Sequence, residues 1–531
     1  MLTLRDHQSG DLFDPWDHLG PQRRRLLERS WAGVFREYLL AHLPVKKLAE
    51  RFRDDRGRPS KDLFVALGAL ILQQLHDLTD QQTTEGVALN IAWHYALDIR
   101  HESDAYLCER TLRNYRHKIL ELGLDEVVFR TLTDQLIEKV GVDTSKQRLD
   151  STTVKSAIRG LTRLGILVEA TSKFLRELKR KLPEKYTVVD TEILRKYVER
   201  QGDGCFADTR PSESKRRLSE AAQDVYAIVQ QFRSDDAASL ESFVILARVF
   251  DDQCEVPKDN VSPVMVRPPR DSHCNGVINP ADVDARYNKH RGTGYQVQIM
   301  ETFAVDDTSN EEPRSKPDLI THVAVNALNT HDKDALEPAL NDTEHRGVKP
   351  QQLLGDSHYG SNDCLKKGRD RGVEVVSPSM PPKGKRQGKL TLEDFELDEE
   401  GRIVRCAAGA QPVETSVADV RIQVLFDTRV CDACPRKREC PAAAVGRRDR
   451  RWQYNHDRVH QRERRLKDAS EEFREQYRWR AGVEATMSRL KHQMGMAKLR
   501  IRGMANVTYV ATLRALGLNI RRVAAYRHAT G

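Results

Sequence analysis

Tyr477, Arg480, Glu484 and Lys491 stand at offsets of three, seven and fourteen residues from the first of them. On a helix turning about 100° per residue they share an arc of roughly 60°. One carboxylate flanked by two cations and a phenol on a single helix face suits a group that holds a divalent metal against a phosphate. Mg²⁺ takes oxygen ligands, keeps several waters and is usually bound through one or two carboxylates together with substrate phosphate. Glu484 therefore needs other acids brought to it. Two present themselves in short β-prone runs: Asp150 in QRLDSTTVK and Asp356 in QLLGDSHYG. Acids at strand ends of an open α/β sheet lie where such folds bind ligands. Two ions about 3.5 to 4 Å apart activate an attacking oxygen and stabilise the leaving one, so the chemistry would be phosphodiester cleavage or transfer. Plainer roles stay open for each acid alone. Asp150 and Asp356 could serve turns or helix caps, and Glu484 could simply pair with Arg480 or Lys491.

The elements that must position these residues can be read in outline. From about Pro21 to Leu122 the pattern is helical, with three or four short helices; Ser60 is placed to cap LFVALGALILQQL after a turn at residues 56–59. In the segment from Arg110, Arg113, Arg116 and His117 fall on the polar side with Lys118 at its flank, while Leu112, Tyr115 and Ile119 could face a core. A DNA-reading helix is built this way, and so is an ordinary helix of a bundle. After the strand carrying Asp150, residues 157 to 250 return to charged, helix-period sequence too long for a loop. Strand patterns resume near Gly294 and Leu319, a helix is expected from Lys333 to about Leu340, and further strands precede Asp356 and end near Ser377. Residues 378–405, rich in Pro, Gly, Lys and acids, read as a linker or surface extension. Strands alternating with helices in this order indicate an α/β core with a mixed sheet.

Charge and length narrow the class. A chain of 531 residues allows several modules. Its net charge of +8 is uneven: from Gly446 onward 21 Lys and Arg face 8 Asp and Glu, so that segment carries +13 and the remainder −5. A basic segment concentrates polyanions, nucleic acid first among them. The polar, acidic start lacks the features of a signal peptide. The most apolar stretch, Leu63 to Leu75, is shorter than the roughly 20 residues that span a bilayer. Nine cysteines without a regular framework fit a reducing compartment. We therefore expect a cytoplasmic protein with no membrane contact.

The set Asp150 in LDSTTVKS, Asp356 in LLGDSHYGS, and Tyr477, Arg480, Glu484 and Lys491 in YRWRAGVEATMSRLK resembles bacterial insertion-sequence transposases of the DDE type. The likeness runs from the helical N-terminal region to about Arg502, and the segment from Asp284 to Tyr295 looks like the stretch leading into the second core strand of those enzymes. It implies a ribonuclease H-like mixed sheet, divided along the chain: 1–140 a helical N-terminal DNA-binding domain, 141–156 the first part of the core, 157–280 a mostly helical insertion, 281–378 the core continued, 379–450 a linker and cysteine-rich zinc insert, and 451–531 the basic helical end of the core. It further implies a nucleoid-associated enzyme that binds transposon terminal inverted repeats and target DNA and works as a homodimer in the synaptic complex. Asp150, Asp356 and Glu484 would hold Mg²⁺ or Mn²⁺, two ions in all. Arg480 and Lys491 would contact end phosphates, with Tyr477 packed on or bonded to DNA nearby, and Arg113, Arg116 and Lys118 would contribute to DNA binding. Water would free a 3′ hydroxyl at the element's end, and that hydroxyl would attack target DNA. A non-catalytic DNA-binding descendant and a metal-dependent nuclease without strand transfer remain as other readings.

Cys431 and Cys434 form a C-x₂-C knuckle, with Cys440 six residues on and Cys406 twenty-five residues before it. Structural zinc prefers four such sulfurs, with free cysteines of a small β element and redox chemistry as the other readings, and related transposases carry a similar insert between the second Asp and the Glu. Arg436, Lys437 and Arg438 inside the loop would face a phosphate backbone. Cys108, Cys205, Cys254, Cys274 and Cys364 are too scattered to form a site.

Overall fold

The computed structural model describes residues 4–5, 7, 14–52, 60–199, 211–257, 263–268, 276–305, 316–382, 384–418 and 420–530. The expected turn at 56–59, Cys205 and Cys274 lie outside them.

Five strands form the body of the central sheet: β1 (Lys146–Lys155), β2 (Gly292–Thr302), β3 (Ile320–Ala327), β4 (Gln352–Gly355) and β5 (Glu374–Val376). They lie in the order β3-β2-β1-β4-β5, with the short strand Arg286–Asn288 paired to the start of β2. The first three run antiparallel to one another in turn, while β4 and β5 run parallel to β1 and to each other. This mixed α/β arrangement is compatible with the ribonuclease H-like sheet that the resemblance implies. β2 is buried along nearly its whole length, as a strand covered on both faces must be. Where it passes the end of β1, a side chain at Gly294 would put its Cβ 2.1 Å from the Val154 carbonyl oxygen, so only glycine permits the pairing there.

One face of the sheet, through Tyr295, Val297 and Ile299 of β2, shares a hydrophobic core with the N-terminal helices and with the long C-terminal helix Met504–Thr530. The other face, through Leu149 and Met300, packs on the helices Leu336–His345 and Asn362–Arg369. The N-terminal segment holds more helices than its sequence pattern announced, among them Pro21–Arg29, Leu63–His76, Asp80–Leu89, Ile91–Leu97, Glu109–Leu122 and Leu124–Val140. Leu63–His76 is apolar on every side up to Leu72 and buried from Leu63 to Leu75, as a helix apolar all round must be. Its cap is Asp62, whose carboxylate accepts from Phe64 N at 2.8 Å, rather than Ser60; the helix starts three residues after Ser60, which puts that hydroxyl out of register. In the C-terminal helix, buried Asn519 accepts from Ile320 N and donates to Ile320 O, both at 2.8 Å. That bond pair satisfies the outer edge of β3.

The insertion after β1 has its own core, in which Phe174 of helix Arg163–Lys181 meets Phe232 and Phe243 edge-on at 5.4 and 5.3 Å. The stretch read as a linker from residue 378 is folded instead. Leu390, Leu392, Phe395 and Ile403 bury against the four-stranded sheet formed by Glu414–Ala418, Arg421–Asp427, Ala443–Val445 and Asp449–Asn455. Those four apolar side chains outweigh the Pro, Gly and charge content that marked the segment as extended. Among the described residues no helix is long and apolar enough to cross a membrane.

Candidate active site

β1 and β4 run side by side with Leu149 opposite Gly355, so the next residue on each chain stands at the same level: Asp150 inside β1, paired with Ile299 of β2, and Asp356 just past the end of β4. Successive strand residues face opposite sides. Ser151 points one way, donating to Asp332 Oδ1 at 2.7 Å, and Asp150 the other, toward the helical run that carries Glu484. That run is not one uniform helix: Glu471–Tyr477 is α, Arg478–Ala481 is 3₁₀, Gly482–Ser488 is α again and Arg489–Gln493 is π.

Arg480 closes the gap. Its guanidinium donates to Asp150 Oδ2 at 2.6 Å and to Glu484 Oε1 at 2.8 Å, so one cation joins a carboxylate of the sheet to one of the helix. Asp150 is nearly buried, whereas the Glu484 side chain is 66% exposed, which leaves the site open on one side. Burial pushes the Asp150 carboxyl up to about 6 against the pull of Arg480 and the Ser151 N–H, and the like charges of Asp356 and Asp332 add to the rise. Asp356 also caps the turn that follows it, accepting from His358 N at 2.9 Å. Asp356 therefore serves as the cap that its sequence context allows.

The remaining expected residues are placed unequally. Tyr477 stacks on Phe473 at 5.5 Å and packs with Trp479 against Phe303, Leu354 and Val376, fastening the run to the sheet end. Burial raises its phenol, helped by Asp356, Asp150 and Glu484. Lys491 follows the change of helical pitch, and among the described residues no ion pair ties it to the three acids. Leu112, Tyr115 and Ile119 are buried as the pattern of their helix requires. Arg113 is exposed. Arg116 turns inward to pair with Asp80 and to donate to Gln73 Oε1 at 3.0 Å, and the Lys118 ammonium lies 5.2 Å from the Phe52 ring centroid. Cys406, Cys431, Cys434 and Cys440 line one small cavity and form no disulfide. Burial and the neighbouring sulfurs raise the Cys431 and Cys440 thiols. Of the cations expected to face DNA there, Lys437 pairs with Asp432 and Arg436 with Glu439 on the surface.

The sequence reading missed what holds the site rigid. Arg148, two residues before Asp150, is buried and donates to Glu301 Oε1 at 2.7 Å, Asp318 Oδ2 at 2.7 Å and the Trp479 carbonyl at 2.8 Å. It thus straps β1 to the helical run. Gly482 is what lets it do so, since a Cβ there would lie 2.1 Å from the Arg148 guanidinium. Glu301 also accepts from Thr486 at 2.6 Å and Arg522 at 2.9 Å. Asp332 was missed too, although it follows β3 at the start of a helical turn, where a sheet of this kind presents ligands.

Residues 406–524 match the family model described as a transposase DDE domain, and residues 26–118 match the one described as a transposase domain (DUF772). No curated protein and no solved structure matches the chain.

Proposed function

Because the chain belongs to the insertion-sequence transposases of the DDE type, we propose that it cuts DNA at the ends of its element and joins the freed ends to target DNA. The observation that carries this reading is the matched level of Asp150 within β1 and Asp356 at the end of the parallel strand β4, with Glu484 drawn to Asp150 through Arg480. The acid set fits hard divalent cations, because a guanidinium already bridges two of its carboxylates and a buried Asp150 needs a counter-charge. Asp150, Asp356 and Glu484 would hold Mg²⁺ or Mn²⁺, whose contribution when bound is to activate the attacking oxygen and stabilise the leaving one.

The protein's own groups do the rest. Arg480 exchanges a carboxylate for an end phosphate when DNA arrives and, as a planar fork, holds it in two directions. Lys491, Arg113 and Lys118 add charge along the same DNA, and Arg116, committed to Asp80, supports their helix from within. Tyr477 keeps the helical run seated beside the bound strand. The sheet order supports a ribonuclease H-like core, the four cysteines a structural zinc insert, and the need to hold two DNA ends at one target a homodimer in the working complex. The protein would act on DNA in the cytoplasm.

The test is incubation with the element's terminal inverted repeats and a target plasmid in Mg²⁺. The expected products are ends cut to a 3′ hydroxyl and then joined to the plasmid. Asp150→Asn, Asp356→Asn and Glu484→Gln should bind ends and leave them intact. Cutting without joining would instead indicate a nuclease, and binding alone a DNA-binding protein.

A further inference from the structure

Asp332 opens the 3₁₀ turn Asp332–Ala335, five residues past the end of β3 at Ala327, and it is 6% exposed. Among the described residues, Asp332, Asp356 and His358 are the one group of ligand-type side chains whose donor atoms all lie within 4.8 Å of one another. We propose that these three hold one divalent cation of the catalytic site, and that the imidazole makes this position prefer Mn²⁺ to Mg²⁺.

Asp332 is held for such a task. Its Oδ1 accepts from Ser151 Oγ at 2.7 Å and from Gln296 Nε2, which fixes the carboxylate plane. Its Oδ2 faces Arg291 Nη2 at 3.1 Å and His358 Nε2 at 4.0 Å. Four ångströms is too long for a hydrogen bond. It is a separation that two ligands of one ion span, because bonds to such metals run about 2.0 to 2.2 Å each. Arg291 is 34% exposed on its side chain and can swing out when a cation enters.

A second feature points to the same place. Gln296 is fully buried, its amide reaches Asp332 and Ser151 Oγ, and its Oε1 has no donor. His358 Nδ1 is likewise buried without a partner, while the side chain as a whole is 40% exposed. The buried carbonyl oxygen left unsatisfied beside Asp332 is an acceptor in want of a cation or of water bound to one, and the unpartnered Nδ1 carries the ring proton when Nε2 serves as the ligand. Mg²⁺ takes oxygen almost alone, whereas an imidazole in the set shifts affinity toward first-row transition ions. Asp356 would thereby serve two sets at once, the one proposed with Asp150 and Glu484 and this one with Asp332 and His358.

The inference rests on reading this edge as the catalytic cation site, but it is tested without DNA. Bound Mn²⁺ is counted by electron paramagnetic resonance on the full chain, with Mg²⁺ as competitor. His358→Ala should weaken Mn²⁺ by about tenfold or more while moving Mg²⁺ by about threefold or less, since the lost ligand is a nitrogen. Asp332→Asn should weaken both ions about tenfold. Exposed Asp334→Asn, two residues away, should change neither. The proposal falls if His358→Ala leaves the Mn²⁺ to Mg²⁺ preference as in the unaltered chain, or if Asp334→Asn weakens binding as much as Asp332→Asn. Should Asp332→Asn fail to fold, the half-exposed His358 variant decides alone. Loss of Mn²⁺ in these variants, in a protein that cuts no ends, would uphold the site and sink the transposase reading. Intact Mn²⁺ binding in an active transposase would do the reverse.

Discussion

Replacing Arg148 by Met should loosen the site from behind without touching any acid that faces substrate. The Glu301 side chain is 0% exposed and that of Arg148 5%, so the deletion leaves Glu301 buried with one cation, Arg522, where it had two. Breaking a buried pair from one side costs about 3 to 5 kcal/mol, whereas replacing both partners by apolar groups is often near neutral. Arg148→Met should therefore cost about 3 to 5 kcal/mol, and Glu301→Leu a similar amount. The double variant should cost at least about 2 kcal/mol less than their sum, because Arg522 keeps its bond to the Asp318 carbonyl at 3.0 Å. The chain has several separate cores, so one melting curve would mix their transitions. Hydrogen exchange at the β1 amides reads the local opening free energy instead. Loss of the Trp479 carbonyl bond should also raise exchange in Gly482–Ser488. Additivity within about 0.5 kcal/mol would refute the strap.

Two further outcomes follow from buried titratable groups. Asp125 is 5% exposed, and burial, only partly offset by nearby N–H groups, raises its carboxyl to about 6. A raised acid favours the folded state below its unfolded value near 4 and loses that contribution as pH rises through 6; Asp125→Asn should thus stabilise the Leu124–Val140 helix at pH 8 by up to about 3 kcal/mol and give no gain at pH 4, and a gain independent of pH would refute this. Protein purified without chelator should hold one zinc per chain, Cys431→Ser should lose it, and chelation should raise hydrogen exchange in residues 390–455 while β1 stays protected; zinc well below one per chain would remove the metal from the insert.

What the sequence disclosed depended on whether a signal was local. The strands around Asp150 and Asp356, and the buried face Leu112, Tyr115 and Ile119, follow from short-range periodicity. Each reading concerned residues within a few positions of one another. The stripe of Tyr477, Arg480, Glu484 and Lys491 was legible for Arg480 and Glu484, which meet across one turn. A 3₁₀ turn and a π turn in the same run alter the pitch that carried the pattern on to Lys491. The linker reading weighed Pro, Gly and charge, while the fate of residues 378–405 is decided by four apolar side chains that meet a sheet formed later in the chain. Arg148 and Gly482 gave no signal because their partners lie far off in sequence, and Asp332 gave only its place after a strand. Arg148 meets Trp479 331 positions away and Ser151 meets Asp332 181 positions away, contacts that only the folded sheet creates.

The central claim is that residues 150, 356 and 484 face one cation-holding pocket. Fe²⁺ exchanged for Mg²⁺ cuts polypeptide close to where it is bound when ascorbate and peroxide are added, and mass spectrometry of the fragments maps the cuts. The account predicts scission near all three residues in the same preparation, suppressed together by excess Mg²⁺. Scission near residue 356 alone, with 150 and 484 untouched in the presence of end DNA, would contradict it.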